Sequence, residues 1–312
     1  MSKLYSIGEL IIDFQSKGTG GLKNTDTFIK NAGGAPANVC VQVAKLNQDA
    51  TYLSKVGNDG FGEFLIESLK NENVNVQYIT KSDKYDTSLA FVSYQEDGER
   101  EFSFFRKMAA DLYFEIDDFK EINFKENDIL EFGSVALKTQ ESRIVHDYLI
   151  QKAKKANSLI AFDPNLRFNL WEDHNELKDI VNQYLKVSDI VKLGVEELEF
   201  ITSLKEVDAI NKILENDIKV LLVTYGSKGA RIYLKNKTII YNHGYKVKAV
   251  DTTGAGDSFF GGFLSQVLTY GLDENKYHQM LDLACKCGAY TTTNFGAIKA
   301  MGNLKEIDEV IK

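Results

Sequence analysis

Short apolar runs alternate with helical patterns along almost the whole chain, and this alternation restricts the fold more than any other feature. The runs are rich in β-branched residues, and the segments between them repeat apolar residues every three or four positions. The predicted strands are residues 4–7, 51–56, 128–132, 158–162, 190–193, 220–224 and 229–234. The predicted helices are residues 35–46, 61–71, 141–156, 176–185 and 196–201. This order predicts a doubly wound α/β fold, with a mostly parallel sheet and helices on both faces.

One section departs from this alternation and has the pattern of a hairpin. Residues 87–94 and 101–106 are rich in β-branched and aromatic residues, and Asp97-Gly98 between them is a typical hairpin turn. Together with residues 19–30, the hairpin is expected to form a small sheet over a cleft. The predicted main domain comprises residues 1–14, 31–86 and 114–312, and the inserted β lid comprises residues 15–30 and 87–113.

A glycine turn before a helix, in the sequence DTTGAGDSFFGG at residues 251–262, is the strongest signal of a functional site. We expect a strand at residues 247–250, a break at Gly254 and Gly256, and a helix over residues 258–268. Such a turn leaves backbone N–H groups unpaired at the positive end of the helix dipole. An anion is expected to bind there.

Asp257 lies in the first turn of this predicted helix, where its carboxylate is expected beside the same N–H groups. An aspartate at this place is usually only a helix cap. Gly261 and Gly262 weigh against a purely local role, because glycine inside a helix is unfavourable and indicates close packing. We therefore favour a functional interpretation of Asp257.

Polar residues occur at other predicted turns and strand ends. Asn38 follows a second glycine turn and could both donate to and accept from a polyhydroxylated ligand, although an ordinary capped helix explains this motif equally well. Asp163, Asn165 and Arg167 follow one strand, and Asp13 follows an apolar run. Ligands of open α/β sheets bind beyond such strand ends, although a plain surface arginine remains the alternative for Arg167.

Two further segments carry weaker signals. Residues 224–229 form a glycine turn between strands, suited to lying against a nucleotide. Glu196 and Glu197 begin a helix, where acidic residues are ordinarily dipole partners, so these residues alone do not predict a metal site.

Composition excludes several classes of function. The formal net charge of −8 argues against nucleic-acid binding, which needs a basic surface. No stretch approaches the roughly 18 consecutive apolar residues of a membrane span, and the N-terminal run is too charged for a signal peptide. Cys40, Cys285 and Cys287 lack metal-ligand spacing, and neither a P-loop nor a Rossmann fingerprint occurs. A cytoplasmic protein is expected.

These segments, taken in order, resemble the ribokinase-like (PfkB) family of sugar kinases over nearly the whole chain. The resemblance rests on NAGGAPANVCVQVAKL, KVGNDGFG and DTTGAGDSFFGGF. Within that family, GELIIDF, GGAPAN, DGEREFSFFR, FDPNLRFNLW and KLGVEELEF are most similar to fructokinases. The resemblance implies ATP-dependent phosphorylation of a sugar hydroxyl under a lid.

The resemblance also implies roles for residues at matching positions. Asp257 would be the general base, and Gly254, Ala255 and Gly256 would form an anion hole, with Arg167 offsetting the transferred charge. The implied sugar-binding residues are Asp13, Gly33, Gly34, Asn38, Arg106 and Asp257. The implied ATP-binding residues are Lys192, Thr224, Gly226, Gly229, Gly254, Gly256 and Asn294.

Cations and partners follow from the same resemblance. Mg²⁺ is implied as the partner of ATP, and Glu197 would hold it through water. The family orders the water bound to Mg²⁺ with an N-x-x-E element, which aligns with residues 194–197 here. Gly194 replaces its asparagine, and this weakens the metal role of Glu197. Asp251 and Thr253 match positions that bind K⁺ in the family. The expected partners are ATP, fructose and a second copy of the chain through the lid, with no nucleic acid or membrane.

Four alternatives stay open. A 2-keto-3-deoxygluconate kinase shares FDPNLR and Leu170-Trp171, whereas GGAPAN favours fructose, and the DGEREFSFFR lid fits a ribokinase or nucleoside kinase poorly. From a different class, the chain could be a sugar-binding regulatory protein that has lost catalysis. The presence of Asp257 argues against this alternative. A nucleotide-binding structural protein would bind ATP without any dependence on sugar.

Overall fold

The computed structural model describes residues 2–94 and 100–311, so the predicted Asp97-Gly98 turn lies outside the described residues. The strands are β1 (Leu4–Ile7), β2 (Ile11–Thr19), β3 (Phe28–Gly33), β4 (Ala50–Gly57), β5 (Asn75–Ser82), β6 (Ser88–Tyr94), β7 (Arg100–Phe105), β8 (Ile129–Gly133), β9 (Leu159–Asp163), β10 (Ile190–Gly194), β11 (Val220–Thr224), β12 (Ala230–Tyr233) and β13 (Ile239–Asn242). The helices are α1 (Ala35–Lys45), α2 (Gly60–Asn71), α3 (Ile116–Phe119), α4 (Gln140–Lys155), α5 (His174–Leu185), α6 (Val195–Thr202), α7 (Glu206–Leu214), α8 (Ala255–Tyr270), α9 (Tyr277–Thr291) and α10 (Leu304–Val310).

A nine-stranded sheet forms the centre of the molecule, in the order β13-β12-β11-β10-β9-β8-β1-β4-β5. All neighbours from β11 to β5 pair in parallel, whereas β12 and β13 pair antiparallel at one edge. The chain runs outward in both directions from β1 and β8. In open α/β sheets this switch in strand order marks where ligands bind.

Both faces of the large sheet are buried, and successive strand residues alternate between them. Leu4 packs with α1, α2, α8 and α9 on one face, whereas Tyr5 and Ile7 pack with α3, α4, α5, α6 and α7 on the other. This alternation follows from the two-residue period of a strand. The doubly wound α/β fold predicted from the sequence is therefore confirmed.

A smaller sheet, in the order β3-β2-β6-β7, stands apart from the central one. One face packs on α2 through an aromatic cluster, in which Phe14 stacks on Phe91 at 4.8 Å and meets Phe61 edge-on at 5.6 Å. The opposite face covers a cavity described below. The predicted small sheet is confirmed, whereas the domain boundaries at residues 15–30 and 87–113 stay a prediction.

Two expectations about local structure are wrong. Residues 247–250 form no strand, because the backbone N–H groups of Val250 and Asp251 donate to the Thr292 carbonyl beyond α9, at 2.7 and 3.2 Å, instead of pairing in a sheet. Asp13 does not follow a strand end but lies inside β2, opposite Asn31 of β3. The predicted helix at residues 258–268 begins earlier than expected, at Ala255.

None of the helices in the described part of the chain has the length and apolar character that a membrane crossing requires.

A histidine is buried in the core between α4 and β8. His146 packs against the rings of Phe132 and Phe114, with centroids 5.5 and 6.0 Å away. Its Nδ1 atom donates to the Ser142 carbonyl at 2.8 Å, and its Nε2 atom has no partner within the described ranges. Burial lowers the pKa of His146 from 6.5 to about 4.

The neutral form of His146 is therefore favoured in the folded state, and its protonation should destabilise the protein at low pH. The stability that comes from keeping His146 neutral is fully present above pH 6.5. As the pH falls toward 4, about 3 kcal/mol of unfolding free energy is lost. We expect His146→Phe to lose less unfolding free energy than the wild type between pH 7 and 4, measured by urea denaturation. Parallel stability curves for the two proteins would contradict this.

Candidate active site

The start of α8 is shaped as an anion-binding turn. Gly254 has φ 77°, a left-handed conformation, and a Cβ atom there would lie 3.1 Å from the Ala297 Cβ. The Ala255 N–H donates to the Thr252 carbonyl at 3.3 Å, and the first bond within the helix runs from the Ser258 N–H to the Gly254 carbonyl. Between them, the N–H groups of Gly256 and Asp257 have no acceptor in their own helix, because they belong to its first turn.

The Asp257 carboxylate is held in place by two side-chain amides. Asn38 of α1 donates to Asp257 Oδ2 at 2.8 Å, and Asn165, after β9, donates to Oδ1 at 3.5 Å. Only 8% of Asp257 is exposed. Asn38 is buried rather than pointing outward, and no motif in the sequence predicted that Asn165 would face Asp257. The carboxylate is therefore held by side chains from two other segments, and no side-chain cap bond is formed at the start of α8.

The two glycines inside α8 allow other helices to approach closely. A Cβ atom at Gly261 would lie 2.7 Å from the Gln42 Cβ of α1, and one at Gly262 would lie 2.9 Å from the Cys287 sulfur of α9. This confirms the close packing expected from the sequence and fixes α8 relative to α1.

A first cavity of about 670 Å³ lies between the small sheet and the carboxyl ends of the central strands. It contains most of the residues expected to hold a sugar, together with several that the sequence analysis did not single out. Four of the six expected sugar-binding residues line it, namely Asp13, Gly34, Asn38 and Asp257, and so does Arg167, which was expected to offset the transferred charge. The additional ones include Glu9, Gln15, Asn31, Phe102 and Phe104, and the cavity is also lined by Asn165, which the sequence placed after a strand.

Asp13 reaches the cavity across a glycine. A Cβ atom at Gly33 would lie 2.0 Å from Asp13 Oδ2, so only glycine leaves room for this carboxylate. Burial raises the pKa of Asp13 to about 6, and the charge of Arg167 partly opposes that shift. Both Gly33 and Asp13 thus shape this end of the first cavity.

Arg106 lies at the base of the small sheet and does not line the cavity. Its guanidinium forms a buried ion pair with Asp111 at 2.9 Å and donates to the Ser88 hydroxyl at 3.1 Å. It is also within 3.5 Å of the Val135 carbonyl. Arg106 therefore ties β6 and β7 to the main part of the molecule in this conformation.

A second cavity of about 730 Å³ adjoins the first and contains four of the seven residues expected to bind ATP, whereas Lys192 and Gly254 line the first cavity. Thr224, Gly226 and Gly229 line it. Glu196, Thr252 and Gly256 line both cavities. Asn294 is exposed on the turn after α9 and lines neither cavity. The start of α8 therefore lies at the junction of two adjoining spaces.

Lys192 lines the first cavity and supplies positive charge near this junction. Its ammonium donates to Asp163 at 2.9 Å and lies 3.0 Å from where a Gly256 Cβ would be. Burial alone would lower the pKa of Lys192, but the carboxylates of Asp163, Glu197 and Asp257 raise it above its ordinary value. Lys192 is thus held charged beside the α8 turn.

Glu197, the residue implied to hold Mg²⁺ through water, lines neither cavity. Glu197 accepts hydrogen bonds from the Leu166 N–H at 2.8 Å and the Gly194 N–H at 2.7 Å, so both of its oxygens hold backbone. Burial raises its pKa, which two backbone donors partly offset. Glu196, one residue earlier, lines both cavities.

Asp251 organises the loop before α8. Its Oδ1 atom accepts from the Thr253 N–H and hydroxyl at 3.0 and 2.7 Å, and its Oδ2 atom accepts from the Gly296 N–H at 3.1 Å. Within the described residues, no group of three or more acidic, histidine or cysteine side chains is arranged as a metal site.

Comparison with known proteins identifies the family. Residues 1–303 match the model of the pfkB family carbohydrate kinases. A probable fructokinase-4 from Arabidopsis thaliana is 36% identical over 100% of this chain and 97% of its own. The crystal structure of a fructokinase double mutant from Vibrio cholerae O395, bound to fructose, ADP and potassium, superposes with a TM-score of 0.90 at 30% identity, covering 100% of this chain and 99% of that one. A second structure of that fructokinase, with fructose, ADP and calcium, gives 0.89 at 31% identity over the same shares.

Proposed function

The chain belongs to the pfkB family of carbohydrate kinases, and from that membership we propose that it is a fructokinase. The reaction transfers the γ-phosphoryl group of ATP to the 6-hydroxyl of D-fructose, giving ADP and D-fructose 6-phosphate. The observation that supports this most is the oriented Asp257 carboxylate at the junction of two cavities. The likeness to a fructokinase bound to fructose and ADP supports the choice of substrates.

Asp257 accepts the proton of the attacking hydroxyl. Asn38 and Asn165 keep the carboxylate turned toward the cavity, and a positioned base typically contributes about 10²- to 10⁴-fold in rate. The first-turn N–H groups of α8 stabilise charge on the transferring phosphoryl group, where the loss of one such donor costs about 10²- to 10³-fold. Lys192 and Arg167 add positive charge at the same place.

The charges of the first cavity favour a neutral sugar over a sugar acid. Glu9, Asp13 and Asp257 contribute carboxylates there, whereas Arg167 is exposed and Lys192 is paired with Asp163. A carboxylate on the substrate, as in 2-keto-3-deoxygluconate, would be repelled by these groups. Phe102 and Phe104 complete the wall toward the small sheet.

Mg²⁺ is proposed as the partner of ATP, since the triphosphate carries more negative charge than the α8 turn and Lys192 offset. Mg²⁺ keeps several waters and needs few protein carboxylates, which fits a site without a ligand cluster among the described residues. Glu196 fits the water-mediated contact better than Glu197, whose oxygens hold backbone N–H groups.

K⁺ is proposed to bind beside Asp251 and Thr253, supported by the potassium in the related fructokinase structure. We expect activity with saturating Mg-ATP and fructose to be several-fold higher in K⁺ than in Na⁺ at constant ionic strength. Asp251→Asn should reduce this difference, because it weakens the charge that attracts the cation. Equal rates in the two salts would refute the K⁺ site.

A homodimer formed through the small sheets is also proposed. Ile29 and Phe102 are each 43% exposed on the cavity side of that sheet, so a second copy could cover apolar surface there. We expect sedimentation velocity to give twice the 35.1 kDa chain mass. Ile29→Lys should yield monomers, whereas Phe105→Lys, which changes a 62% exposed residue on the opposite face, should not. A monomeric wild type would exclude this assembly.

A cytoplasmic location is proposed as well, since Cys40, Cys285 and Cys287 are buried free thiols, as is usual in a reducing compartment. Cell fractionation tests it.

The function is tested by ADP release from Mg-ATP with D-fructose, ribose, 2-keto-3-deoxygluconate, mannose, glucose and adenosine as acceptors. The highest kcat/KM is expected for fructose. A preference for another sugar would keep the kinase and reject fructose. ATP binding without acceptor-dependent turnover would favour a regulatory or structural protein.

The role of Asp257 is tested by Asp257→Asn, which should lower kcat about 10²- to 10⁴-fold and leave the KM for ATP nearly unchanged. Asp208→Asn is a matched control, because Asp208 occupies the same first-turn position in α7 but is exposed and lines neither cavity. Full activity in Asp257→Asn would eliminate it as the base.

A further inference from the structure

One buried carboxylate in the first cavity, that of Glu9, has no part in the proton and phosphoryl transfer described above. Glu9 lies between β1 and β2, lines the cavity, and is only 3% exposed. Its Oε1 atom accepts a hydrogen bond from the Ala35 N–H at 3.0 Å. Its Oε2 atom has no hydrogen-bond partner anywhere in residues 2–94 and 100–311.

The backbone of Glu9 is held firmly on two sides. Tyr52 donates its hydroxyl to the Glu9 carbonyl at 2.6 Å. Gly34 approaches so closely that a Cβ atom there would lie 2.2 Å from the same carbonyl oxygen. Because the backbone is fixed and Oε1 is anchored to α1, the carboxylate has little freedom to turn toward another protein donor.

Arg106 is the nearby cation, but its hydrogen bonds go elsewhere. Burial raises the pKa of Glu9 to about 7, and the charge of Arg106 opposes that shift. The Arg106 guanidinium itself donates to Asp111 and to the Ser88 hydroxyl. Its charge therefore favours an ionised Glu9 without supplying a donor to Oε2.

A buried carboxylate oxygen that lacks a donor is unfavourable in the free protein, and a ligand hydroxyl would remove that cost. We propose that Glu9 is a specificity-determining sugar-binding residue, whose Oε2 atom accepts a hydrogen bond from a non-reacting hydroxyl of the sugar. This inference rests on the proposed function, since it requires the sugar in the first cavity. It adds a third carboxylate to those of Asp13 and Asp257.

The chemical consequence is selection for a sugar that carries a hydroxyl at one particular carbon. A site built to bond a hydroxyl discriminates strongly against an analogue that lacks it, because the protein group is then left unpaired. For an analogue that lacks a different hydroxyl, the loss of kcat/KM relative to fructose would not depend on Glu9. The effect of Glu9 should therefore be confined to one position of the sugar.

A double-mutant cycle between protein and sugar tests this. We would compare kcat/KM for D-fructose, 1-deoxy-, 3-deoxy- and 4-deoxy-D-fructose, and 2,5-anhydro-D-mannitol, which lacks the anomeric hydroxyl. In the wild type, the analogue that lacks the bonded hydroxyl should lose roughly 10- to 100-fold. In Glu9→Met, which has a similar length and no carboxylate, that analogue and fructose should react equally well.

If Glu9→Met does not fold, Glu9→Gln keeps an oxygen for the Ala35 N–H. A neutral amide makes a weaker bond than a carboxylate, so the penalty for the same analogue should shrink there too. Glu131→Gln is the matched control, because Glu131 is 1% exposed and does not line the cavity, and its Oε2 atom accepts from the Ser6 hydroxyl. Its analogue penalties should equal those of the wild type.

The outcomes separate this inference from the proposed function. No turnover of fructose by the wild type would reject the fructokinase itself. Turnover of fructose with unchanged penalties for every analogue in the Glu9 variants would reject Glu9 as a sugar ligand. An equal loss for all sugars, accompanied by lower thermal stability, would show that Glu9 acts only on the fold.

Discussion

The hydrogen-bonded group of Asn38, Asp257 and Asn165 is the interaction on which the active site depends. Its members come from α1, α8 and the segment after β9, and the contacts to Asp257 span 219 and 92 residues of sequence. Only the complete central sheet brings these elements together. The close approach of α8 to α1 at Gly261 then fixes the distance between the amide of Asn38 and the carboxylate.

Local patterns predicted the central strands well, because both faces of that sheet are buried and its strands are continuous apolar runs. The same pattern misled at residues 247–250, where an apolar run lies against the end of α9 and bonds its backbone to Thr292. The strand β5 and the helix α9 were not predicted, although β5 alternates between more and less exposed residues and α9 buries residues at a spacing of three or four. Both patterns were therefore present in the sequence, whereas tertiary packing decided the conformation of residues 247–250.

The site shows the same division. The glycine turn and Asp257 were predictable, since unpaired N–H groups at a helix start are a local property. The positions of Arg106 and Glu197 could not be predicted, because a long charged side chain can contact either a ligand or another part of the protein. Arg106 forms an ion pair with Asp111, and Glu197 accepts hydrogen bonds from the backbone N–H groups of Leu166 and Gly194. Long-range partners, absent from any local motif, determined which side chains remained available.

The charged groups differ between the first cavity and the start of α8, where the two cavities meet. In the proposed fructokinase, the carboxylates of Glu9, Asp13 and Asp257 would suit the hydroxyls of a neutral sugar and oppose a phosphate in the first cavity. The first-turn N–H groups of α8 and the ammonium of Lys192 would favour a phosphoryl group at the junction instead. After transfer, the same carboxylates would repel the newly phosphorylated sugar. The charges that hold the acceptor hydroxyls would thus also weaken the binding of the product.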